Sequence, residues 1–293
     1  MMQHQKTVIF LHIPKAAGTT LTQILRRQYS EQQILCLTLP NNTKALPHSE
    51  KLQIKLDKLR QLSDSEKRQI KLLHGHFPFG AHELLPQSAT YITMLRDPVK
   101  RVISTYFYAK RTPGHRHYEK INQEGISLKD YISSKINPQL NNGQVRMLSG
   151  KSDVDFGNCN EKMLEKAKSN LNNYFSVVGT LESFDKTVLS IKEVLGYNNV
   201  FYSKTNVSKS KNDQQIDSNL IEMIKSENEL DLELYNYVLK LQEEMFSRLM
   251  IDQKLKAFKQ MNNLYSLYRS LINNFKYGVK ISRNTLSKIQ LMQ

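Results

Sequence analysis

Lysine, threonine and histidine side chains stand where apolar segments of the chain end. Lys15, Thr19 and Thr20 lie in the segment PKAAGTT, directly after the β-branched apolar run of residues 7–13. That run fits a strand buried on both faces, and a helical spacing of apolar residues begins after the segment. Because the first N–H groups of a helix lack partners inside it and the helix dipole favours anions, this turn predicts a phosphate-binding site. Lys15 supplies a cation, and Gly18 lets the backbone approach a ligand closely.

The PKAAGTT segment is not a Walker A loop, in which Gly, four further residues and then Gly-Lys-Ser/Thr follow one another. Here the lysine precedes the glycine, and residues 9–17 contain no glycine. Taken alone, such a turn fits a simple helix cap as well as it fits a ligand site. A second motif is needed to decide between them.

Two histidines in the segment KLLHGHFPFG form a second candidate site. If the segment is a strand end, His74 and His76 point to the same side, because strand side chains alternate. Histidine exchanges protons near neutral pH, which favours a general base. A metal site is the weaker alternative, because no third His, Cys or carboxylate lies at ligand spacing nearby. An unreactive histidine at a strand edge is the other alternative.

A third candidate follows the apolar segment of residues 90–96, which predicts another strand. Arg96 ends it, Asp97 and Pro98 begin a helix, and Ser104 lies about two turns into that helix. Ligands of open α/β sheets bind outside the carboxyl ends of the strands, and the planar guanidinium of arginine suits phosphate. Arg96 and Ser104 are therefore candidate phosphate ligands. The alternatives are a surface ion pair for the arginine and a hydroxyl bonded to its own helix for the serine.

Together these segments resemble those of sulfotransferases that use 3′-phosphoadenosine 5′-phosphosulfate (PAPS). PKAAGTT is similar to their 5′-phosphosulfate loop, and LRDPVKRVISTYFY is similar to their 3′-phosphate-binding segment. HGHFPFG resembles the segment that carries the catalytic histidine in heparan sulfate 2-O- and 6-O-sulfotransferases. NNGQVRMLSG and AKSNLNNYFSVVGTLESF resemble further segments of that group, and the resemblance extends from about residue 7 to about residue 210.

The resemblance implies a role for each candidate residue. His76 would take the proton of an acceptor hydroxyl, and His74 is the less favoured base, which would orient His76 or the acceptor. Lys15 would neutralise charge on the leaving phosphate, and no metal is implied. The nucleotide would be held by Lys15, Ala17, Gly18, Thr19 and Thr20 at the 5′-phosphate, by Arg96 and Ser104 at the 3′-phosphate, and by Lys209 and Lys211 in a loop that closes over it.

The order of the segments predicts an α/β protein with a three-layer, P-loop-like fold. A mostly parallel central sheet would be flanked by helices, with residues 1–250 as the catalytic domain and residues 251–293 as a basic helical C-terminal extension. Apolar stripes predict long packed helices over residues 227–250 and from residue 254 to about residue 271.

Other stretches give more local predictions. Residues 33–39 and a stretch from residue 200 are predicted strands, and residues 110–126 are a predicted polar loop with solvated His115 and His117. Residues 49–61 and 64–70 are predicted to be helical or mixed, and their many charges predict a solvent-facing layer. Gln144 and Arg146 are interpreted as bracing residues rather than as contacts to an acceptor.

The net charge of +15 calls for an explanation in terms of ligands or partners. Residues 253–293 contain eight Lys or Arg and no Asp or Glu, so much of the excess lies at the C-terminal end. Such a surface suits an acidic polymer, an anionic membrane face or nucleic acid, and an anionic nucleotide would also favour a basic chain. A nucleic acid partner is not expected, whereas the C-terminal helices would suit contact with a membrane surface or a second copy.

Location is predicted from the cysteines and from hydropathy. Cys36 and Cys159 are isolated, which favours a reducing compartment, and no segment reads as a signal peptide or membrane span. The sequence therefore predicts a cytoplasmic protein.

The predicted function is sulfuryl transfer from PAPS to an acceptor hydroxyl, most consistent with a saccharide or glycan, with release of adenosine 3′,5′-bisphosphate. Two alternatives stay open at this point. A nucleotide or small-molecule kinase on a related fold would bind ATP with Mg²⁺ in preference to the bisphosphate. A non-enzymatic polyanion-binding protein would lose all ligand binding on removal of residues 253–293.

Overall fold

The computed structural model describes residues 6–39, 46, 48–203 and 217–276. In these residues five strands form one sheet in the order β2-β3-β1-β4-β5, and every neighbouring pair is parallel. The predicted α/β fold with a mostly parallel sheet is therefore confirmed. The strands are β1 (Thr7–Leu11), β2 (Ile34–Leu37), β3 (Leu72–Gly75), β4 (Ala89–Leu95) and β5 (Phe175–Thr180).

Helices surround this sheet and make up most of the described chain. Their boundaries confirm the predicted helix after Asp97, whose side chain accepts a hydrogen bond from the N–H of Lys100, and the two long helices near the C-terminal end. The helices are α1 (Gly18–Arg26), α2 (His48–Arg60), α3 (Asp64–Gln69), α4 (Pro98–Arg111), α5 (Tyr118–Gln123), α6 (Leu128–Ser133), α7 (Gly143–Ser149), α8 (Glu161–Tyr174), α9 (Phe184–Leu195), α10 (Ser218–Ser226), α11 (Glu229–Arg248) and α12 (Ile251–Lys276).

Two apolar cores, one on each face of the sheet, hold the three layers together. Alternate residues of β1 point to opposite faces, so Val8 and Phe10 belong to one core and Ile9 and Leu11 to the other. The Phe10 side includes residues of α1, α9, α11 and α12, and the Ile9 side includes residues of α7, α8 and α11. Burial on both faces explains why β1 is almost wholly apolar in sequence.

The strand order brings the candidate residues to one edge of the sheet. From β1 the chain forms β2 and β3 on one side of β1 and then crosses to form β4 and β5 on the other side. Because all strands are parallel, Lys15 after β1, His76 after β3 and Arg96 after β4 follow the carboxyl ends of three adjacent strands. Neighbouring strands lie only about 5 Å apart, so these residues share one crevice.

The predicted polar loop over residues 110–126 is wrong in part, because it contains α5. Ile121 of α5 is buried with Val102 and Tyr106 of α4 in a third apolar cluster, a long-range contact that the polar composition hides. His117 was predicted to be solvated, but only 8% of its surface is exposed, and Arg116 Nε donates a hydrogen bond to its Nε2.

The strand predicted from residue 200 is also wrong, since residues 200–203 do not join the sheet. The segment instead lies along α1, where Gln28 Nε2 donates to the carbonyl of Asn199 at 2.7 Å and Arg27 Nη2 donates to the carbonyl of Phe201. These side chains thus form hydrogen bonds with backbone carbonyls that a neighbouring strand would otherwise bind. Lys209 and Lys211 lie outside the described residues.

The two C-terminal helices pack on the Phe10 side of the sheet. Ile251 and Phe258 of α12 are buried in the same core as Val188 of α9 and Phe246 of α11. None of the described helices combines the length and the apolarity needed to cross a bilayer. The domain boundary at residue 250 and the cytoplasmic location stay predictions.

Candidate active site

The loop after β1 has an unusual backbone. Lys15 and Ala17 have φ angles of 69° and 56°, in the left-handed region that non-glycine residues rarely adopt. Such conformations cost roughly 1–3 kcal/mol each and cluster at functional sites. Ala17 also occupies the N-cap of α1 without providing a side-chain cap, and the first turn holds no acidic residue. The amino end of α1 is therefore left open to an anion.

The glycine of this loop has a partner that the sequence analysis missed. A Cβ atom on Gly18 would lie 1.6 Å from Nε2 of His12, so the imidazole occupies the space beside the glycine. Gly18 is thus required by a protein side chain, whereas the sequence suggested only close approach of a ligand. The signal was available, because His12 follows Phe10 at the strand spacing of two, and their rings stack at 5.3 Å.

His12 also positions His76. Nδ1 of His76 lies 2.8 Å from the carbonyl oxygen of His12, and the two rings have centroids 4.0 Å apart. A carbonyl oxygen can only accept, so Nδ1 of the neutral His76 ring carries the proton and donates it. Nε2 of His76 is then the basic nitrogen. The pKa of His12 is lowered to about 2, mainly by burial and then by His76, His74 and Lys15, so its ring is neutral.

The surroundings also favour a neutral His76 ring. Burial is the main cause that lowers the pKa of His76, and the charges of Lys55 and Lys15, followed by His74, lower it further. The hydrogen bond to the carbonyl of His12 opposes this shift. The side chain nevertheless stays partly exposed, so a substrate can reach it. Lys55 lies close, with its Nζ donating to the His76 carbonyl at 2.6 Å. An exposed, neutral imidazole is the form that can accept a proton.

His74 differs from His76 in exposure. It lies within β3 opposite Phe10, with 5% of its surface exposed and with Nδ1 3.6 Å from Sγ of Cys36. Burial, followed by the charge of Arg26, lowers its pKa to about 4. Its Nε2 has no hydrogen-bond partner within the part of the chain that the structure describes. The role of His74 stays a prediction, but little of its surface is open to a substrate.

Lys15 lies against the face of α4 that carries Tyr108 and Ser104. Nζ of Lys15 lies 3.8 Å from the centre of the Tyr108 ring on α4. Ser104 lies one helical turn before Tyr108 and therefore on the same face of α4. Burial, followed by the charges of Arg111 and Arg96, lowers the pKa of Lys15 to about 8, so it remains mostly protonated at neutral pH.

Arg96 joins the two predicted phosphate-binding segments. Its Nη1 donates to the carbonyl of Lys15 at 3.1 Å, which places the guanidinium against the loop after β1. Its Nε is buried without a hydrogen-bond partner among the described residues. A buried donor without a partner is costly, and an anionic ligand would satisfy it. Arg96, a predicted ligand of the 3′-phosphate, thus contacts the predicted 5′-phosphate loop. Thr19 is exposed and Thr20 is buried in the first turn of α1.

Comparison with known protein families identifies the family of the chain. A model of the Sulfotransferase family matches residues 1–238, which is most of the chain. The chain belongs to the sulfotransferase family. The resemblance found in its motifs is therefore confirmed at the level of the family.

Two human members of the sulfotransferase family illustrate the degree of similarity. Uronyl 2-sulfotransferase is 24% identical over 208 residues, covering 64% of this chain and 48% of that protein. Heparan-sulfate 6-O-sulfotransferase 2 is 27% identical over 215 residues, covering 64% of this chain and 35% of that protein. The chain thus spans about half or less of the length of these relatives.

One solved sulfotransferase structure is similar at a low level. Mouse sulfotransferase SULT7A1, in a complex with PAP, aligns with a TM-score of 0.37 and 12% sequence identity, and the alignment covers 89% of each chain. The fold assignment of this sulfotransferase-family chain rests on its own parallel sheet.

A buried network braces Arg96 in this sulfotransferase-family chain. The backbone N–H of Arg96 donates to Oε1 of Gln144, and Nε2 of Gln144 donates to the carbonyl of Arg96. Asp231 of α11 accepts hydrogen bonds from the N–H groups of Gln144 and Val145 at the start of α7, and it lies 3.6 Å from Nη2 of Arg101. The interpretation of Gln144 as a bracing residue is confirmed.

Arg146 is the second bracing residue and contacts no cleft. It is fully buried, and its guanidinium donates to the backbone carbonyls of Asn141, Val154 and Asp155. These bonds tie α7 to the segment that follows it, so the interpretation of Arg146 as a brace is also confirmed.

The rim of the cleft is basic. We use the name basic rim for Lys51 and Lys55 of α2 together with Arg111 and Arg116 at and after the end of α4. Burial and then the charge of Arg116 lower the pKa of Lys51, and the pKa of Lys55 is lowered to about 8 by burial and then by Lys51. The residues from 49 to 61 were predicted to face solvent, yet they supply this side of the site. Sequence could not reveal this, because the contacts are between distant segments.

The described residues offer no sign of a metal centre. No group of three or more His, Cys, Asp or Glu side chains among them is arranged to hold a metal ion. The charged groups that lower the pKa of Lys15 are Arg111 and Arg96, and those that lower the pKa of His115 are Arg116 and Lys15. The described part of the cleft is therefore a cationic environment suited to an anionic ligand.

Proposed function

We propose that the chain transfers a sulfuryl group from PAPS to a hydroxyl of a saccharide that carries acidic groups. The observation that carries the proposal is the contact between the Arg96 guanidinium and the Lys15 carbonyl, with His76 at the end of the adjacent strand. It supports one continuous site for a doubly phosphorylated nucleotide beside a basic imidazole. Membership of the sulfotransferase family supports the same chemistry.

The donor fits the charges and donors of this site. The open amino end of α1, Lys15 and the hydroxyls of Thr19 and Thr20 would hold the 5′-phosphosulfate. Arg96, through the Nε that finds no partner among the described residues, and Ser104 would hold the 3′-phosphate. Bound PAPS supplies the sulfuryl group. Lys209 and Lys211 remain predicted contacts.

His76 acts as the general base in this proposal. Its Nδ1 is held by the His12 carbonyl, so Nε2 is left to take the proton of the acceptor hydroxyl. A positioned base of this kind contributes roughly 10²–10⁴-fold in rate. Neutral His76 is favoured by its surroundings, so the base is present in its active form near pH 7.

Lys15 stabilises the charge that develops on the leaving phosphate. Its ammonium group is held over the Tyr108 ring, 3.8 Å from the ring centre, at the amino end of α1. A single positioned donor to a developing oxyanion is worth roughly 3–4 kcal/mol. A bound anion would also raise the pKa of Lys15 and keep it protonated.

The basic rim supports an acidic acceptor. Lys51 and Lys55 on α2, and Arg111 and Arg116 across the cleft, border the opening near His76. Two relatives bear names that refer to uronyl residues and to heparan sulfate, both acidic saccharides. Cations on both sides of the base would attract and orient such a chain.

Replacement of Arg96 tests the donor site. Arg96→Ala is expected to raise the Kd for adenosine 3′,5′-bisphosphate by roughly 10–100-fold, because a charge-assisted hydrogen bond contributes about 1.5–3 kcal/mol. The Kd for adenosine 5′-monophosphate, which lacks the 3′-phosphate, is expected to change little. Both values are measured by calorimetry, with the exposed Arg248→Ala variant as control.

Two results would contradict the donor assignment. An equal loss of affinity for the two nucleotides would mean that Arg96 does not bind the 3′-phosphate. Preferential binding of ATP with Mg²⁺ by the unaltered protein would favour the kinase alternative instead.

A transfer assay with labelled PAPS tests the acceptor. The unaltered protein is expected to label an acidic glycosaminoglycan oligosaccharide faster than a neutral oligosaccharide of equal length. Reversing two rim charges with Lys51→Glu and Arg116→Glu should reduce labelling of the acidic acceptor by roughly tenfold or more, since each exposed charge pair is worth on the order of 1 kcal/mol.

The controls for the acceptor assay lie outside the cleft. Arg248→Glu, which changes the net charge away from the site, should leave the preference unchanged. A double rim variant that still prefers the acidic acceptor would place acceptor recognition elsewhere. Absence of transfer to any acceptor, with the bisphosphate still bound, would contradict the enzyme assignment.

A further inference from the structure

The helix α12 has a second apolar side besides the one that packs on the protein. Ile251 and Phe258 face the core, and Asn262 Oδ1 accepts a hydrogen bond from the backbone of Tyr202. Further along the helix four large side chains stay exposed, and we call them the α12 strip. Their exposed fractions are 51% for Met261, 36% for Leu264, 46% for Leu267 and 51% for Tyr268.

The α12 strip is a continuous surface. Met261, Leu264 and Tyr268 are three and four positions apart and share one side of the helix, and Leu267 lies beside them. Seven large apolar side chains are exposed among the described residues, and four of them belong to this strip. Scattered exposed apolar residues need no explanation, but a contiguous group of them indicates an interaction surface.

The charges around the strip point to an anionic partner. Residues 253–276 of α12 hold five Lys or Arg and no Asp or Glu, and Lys256 and Lys259 are exposed in the turns of α12 that precede the strip. The acidic residue at the start of α12, Asp252, is already paired with Lys186 at 2.7 Å. A second copy that docked through its own α12 would bring the same positive helix, with no acidic residue among residues 253–276 to match it. An antiparallel or parallel pair of α12 helices would therefore repel.

We propose that the α12 strip is a docking surface for a lipid bilayer with anionic headgroups. The helix would lie in the plane of the membrane, with the strip in the headgroup–acyl boundary and Lys256 and Lys259 near the phosphates. Helices that bind membranes in this way combine an apolar side, a tyrosine near the interface and lysines on the polar side. The surface lies on α12 and does not depend on the proposed sulfuryl transfer.

Vesicle sedimentation with the full chain tests this proposal. The chain is expected to sediment with vesicles of phosphatidylcholine and phosphatidylserine, and far less with phosphatidylcholine alone. Binding should weaken as salt is raised, because the attraction of the lysines is screened. The double variant Leu264→Gln and Tyr268→Gln should bind the mixed vesicles at least about tenfold more weakly, since it removes apolar area from the boundary.

Matched variants separate the contributions of the strip and the charges. Met250→Gln changes another exposed apolar residue, at the turn before α12, and should leave vesicle binding unchanged. Lys256→Glu with Lys259→Glu should abolish the preference for phosphatidylserine. Helix content by circular dichroism and the Kd for adenosine 3′,5′-bisphosphate should be unchanged in all of these variants, which shows that loss of binding is not loss of folding.

Several outcomes would overturn the proposal. The first is failure of the unaltered chain to bind mixed vesicles. The second is vesicle binding that survives Leu264→Gln with Tyr268→Gln, because the strip would then not be the contact. The third is a dimer by light scattering that the same double variant dissociates, because a second copy would then cover the strip. The fourth is binding to an acidic polysaccharide, and not to vesicles, that is lost in the Leu264→Gln, Tyr268→Gln variant.

Discussion

His76→Ala is expected to lower the rate of sulfate transfer by roughly 10²–10⁴-fold, the usual contribution of a positioned general base. The bisphosphate should bind with nearly unchanged affinity, because the ring contacts given for His76 among the described residues are to His12. The loss should therefore fall on kcat. Transfer is measured with labelled PAPS and a saturating saccharide acceptor, and nucleotide affinity is measured separately by calorimetry.

The pH profile identifies the base independently of the size of the loss. His76 accepts a proton only when its ring is neutral. Burial, followed by the positive charges of Lys55 and Lys15, lowers its pKa below the ordinary value near 6.5. Activity of the unaltered protein should therefore persist as pH falls to about 6 and decline only in more acidic solution. His76→Gln can still donate a hydrogen bond to the His12 carbonyl but cannot act as a base. Its residual rate should be low and should not fall further as the solution becomes acidic. Full activity in His76→Ala would remove His76 from the mechanism.

Asp231→Ala is expected to lower the free energy of unfolding by roughly 3–5 kcal/mol, because it leaves a buried cation without its partner. Asp231 and Arg101 are 0% and 1% exposed, and the carboxylate also holds two backbone N–H groups at the start of α7. Through Gln144, α7 holds the backbone of Arg96, so the variant should also bind adenosine 3′,5′-bisphosphate more weakly. Urea unfolding followed by circular dichroism measures the stability.

A double-mutant cycle checks the cause of the lost stability. Adding Arg101→Met to Asp231→Ala removes the unpaired buried cation, so the double variant should be more stable than Asp231→Ala alone. Glu165→Ala, which removes an exposed partner of Lys168, is the control and should change stability by less than about 1 kcal/mol. Strictly additive losses would mean that Arg101 and Asp231 do not act as a pair.

Local patterns were enough to predict the parallel sheet and the edge of it at which the candidate residues lie. The apolar run of β1, the turn at Gly18 and the Asp97–Pro98 helix start each encode a neighbouring element within a few residues. Parallel strands then bring their carboxyl ends to one edge, whatever the loops between them do. This is why Lys15, His76 and Arg96 could be grouped before any contact was known.

The contacts that complete the site required the folded chain. His12 lies 64 positions from His76, and Asp231 lies 86 positions from Val145, so no local spacing links either pair. The same limit explains the wrong predictions, since His117 packs against the ring of Tyr131 on α6 and the Phe201 carbonyl is bound by Arg27, contacts that join separate segments of the chain. Periodicity reports which side of an element is apolar, but it carries no information about which distant element will cover that side.

The amino-acid order therefore specified the family, the strand-and-loop framework and the residue types for anion binding and proton transfer. Tertiary packing determined that His76 is exposed while His74 is buried, and it placed the ring of His12 against Gly18. It also placed the charged helix α2 along one side of the cleft. The physical reason is that backbone conformation is largely local, whereas solvent exposure and the electric field at a side chain depend on everything that surrounds it.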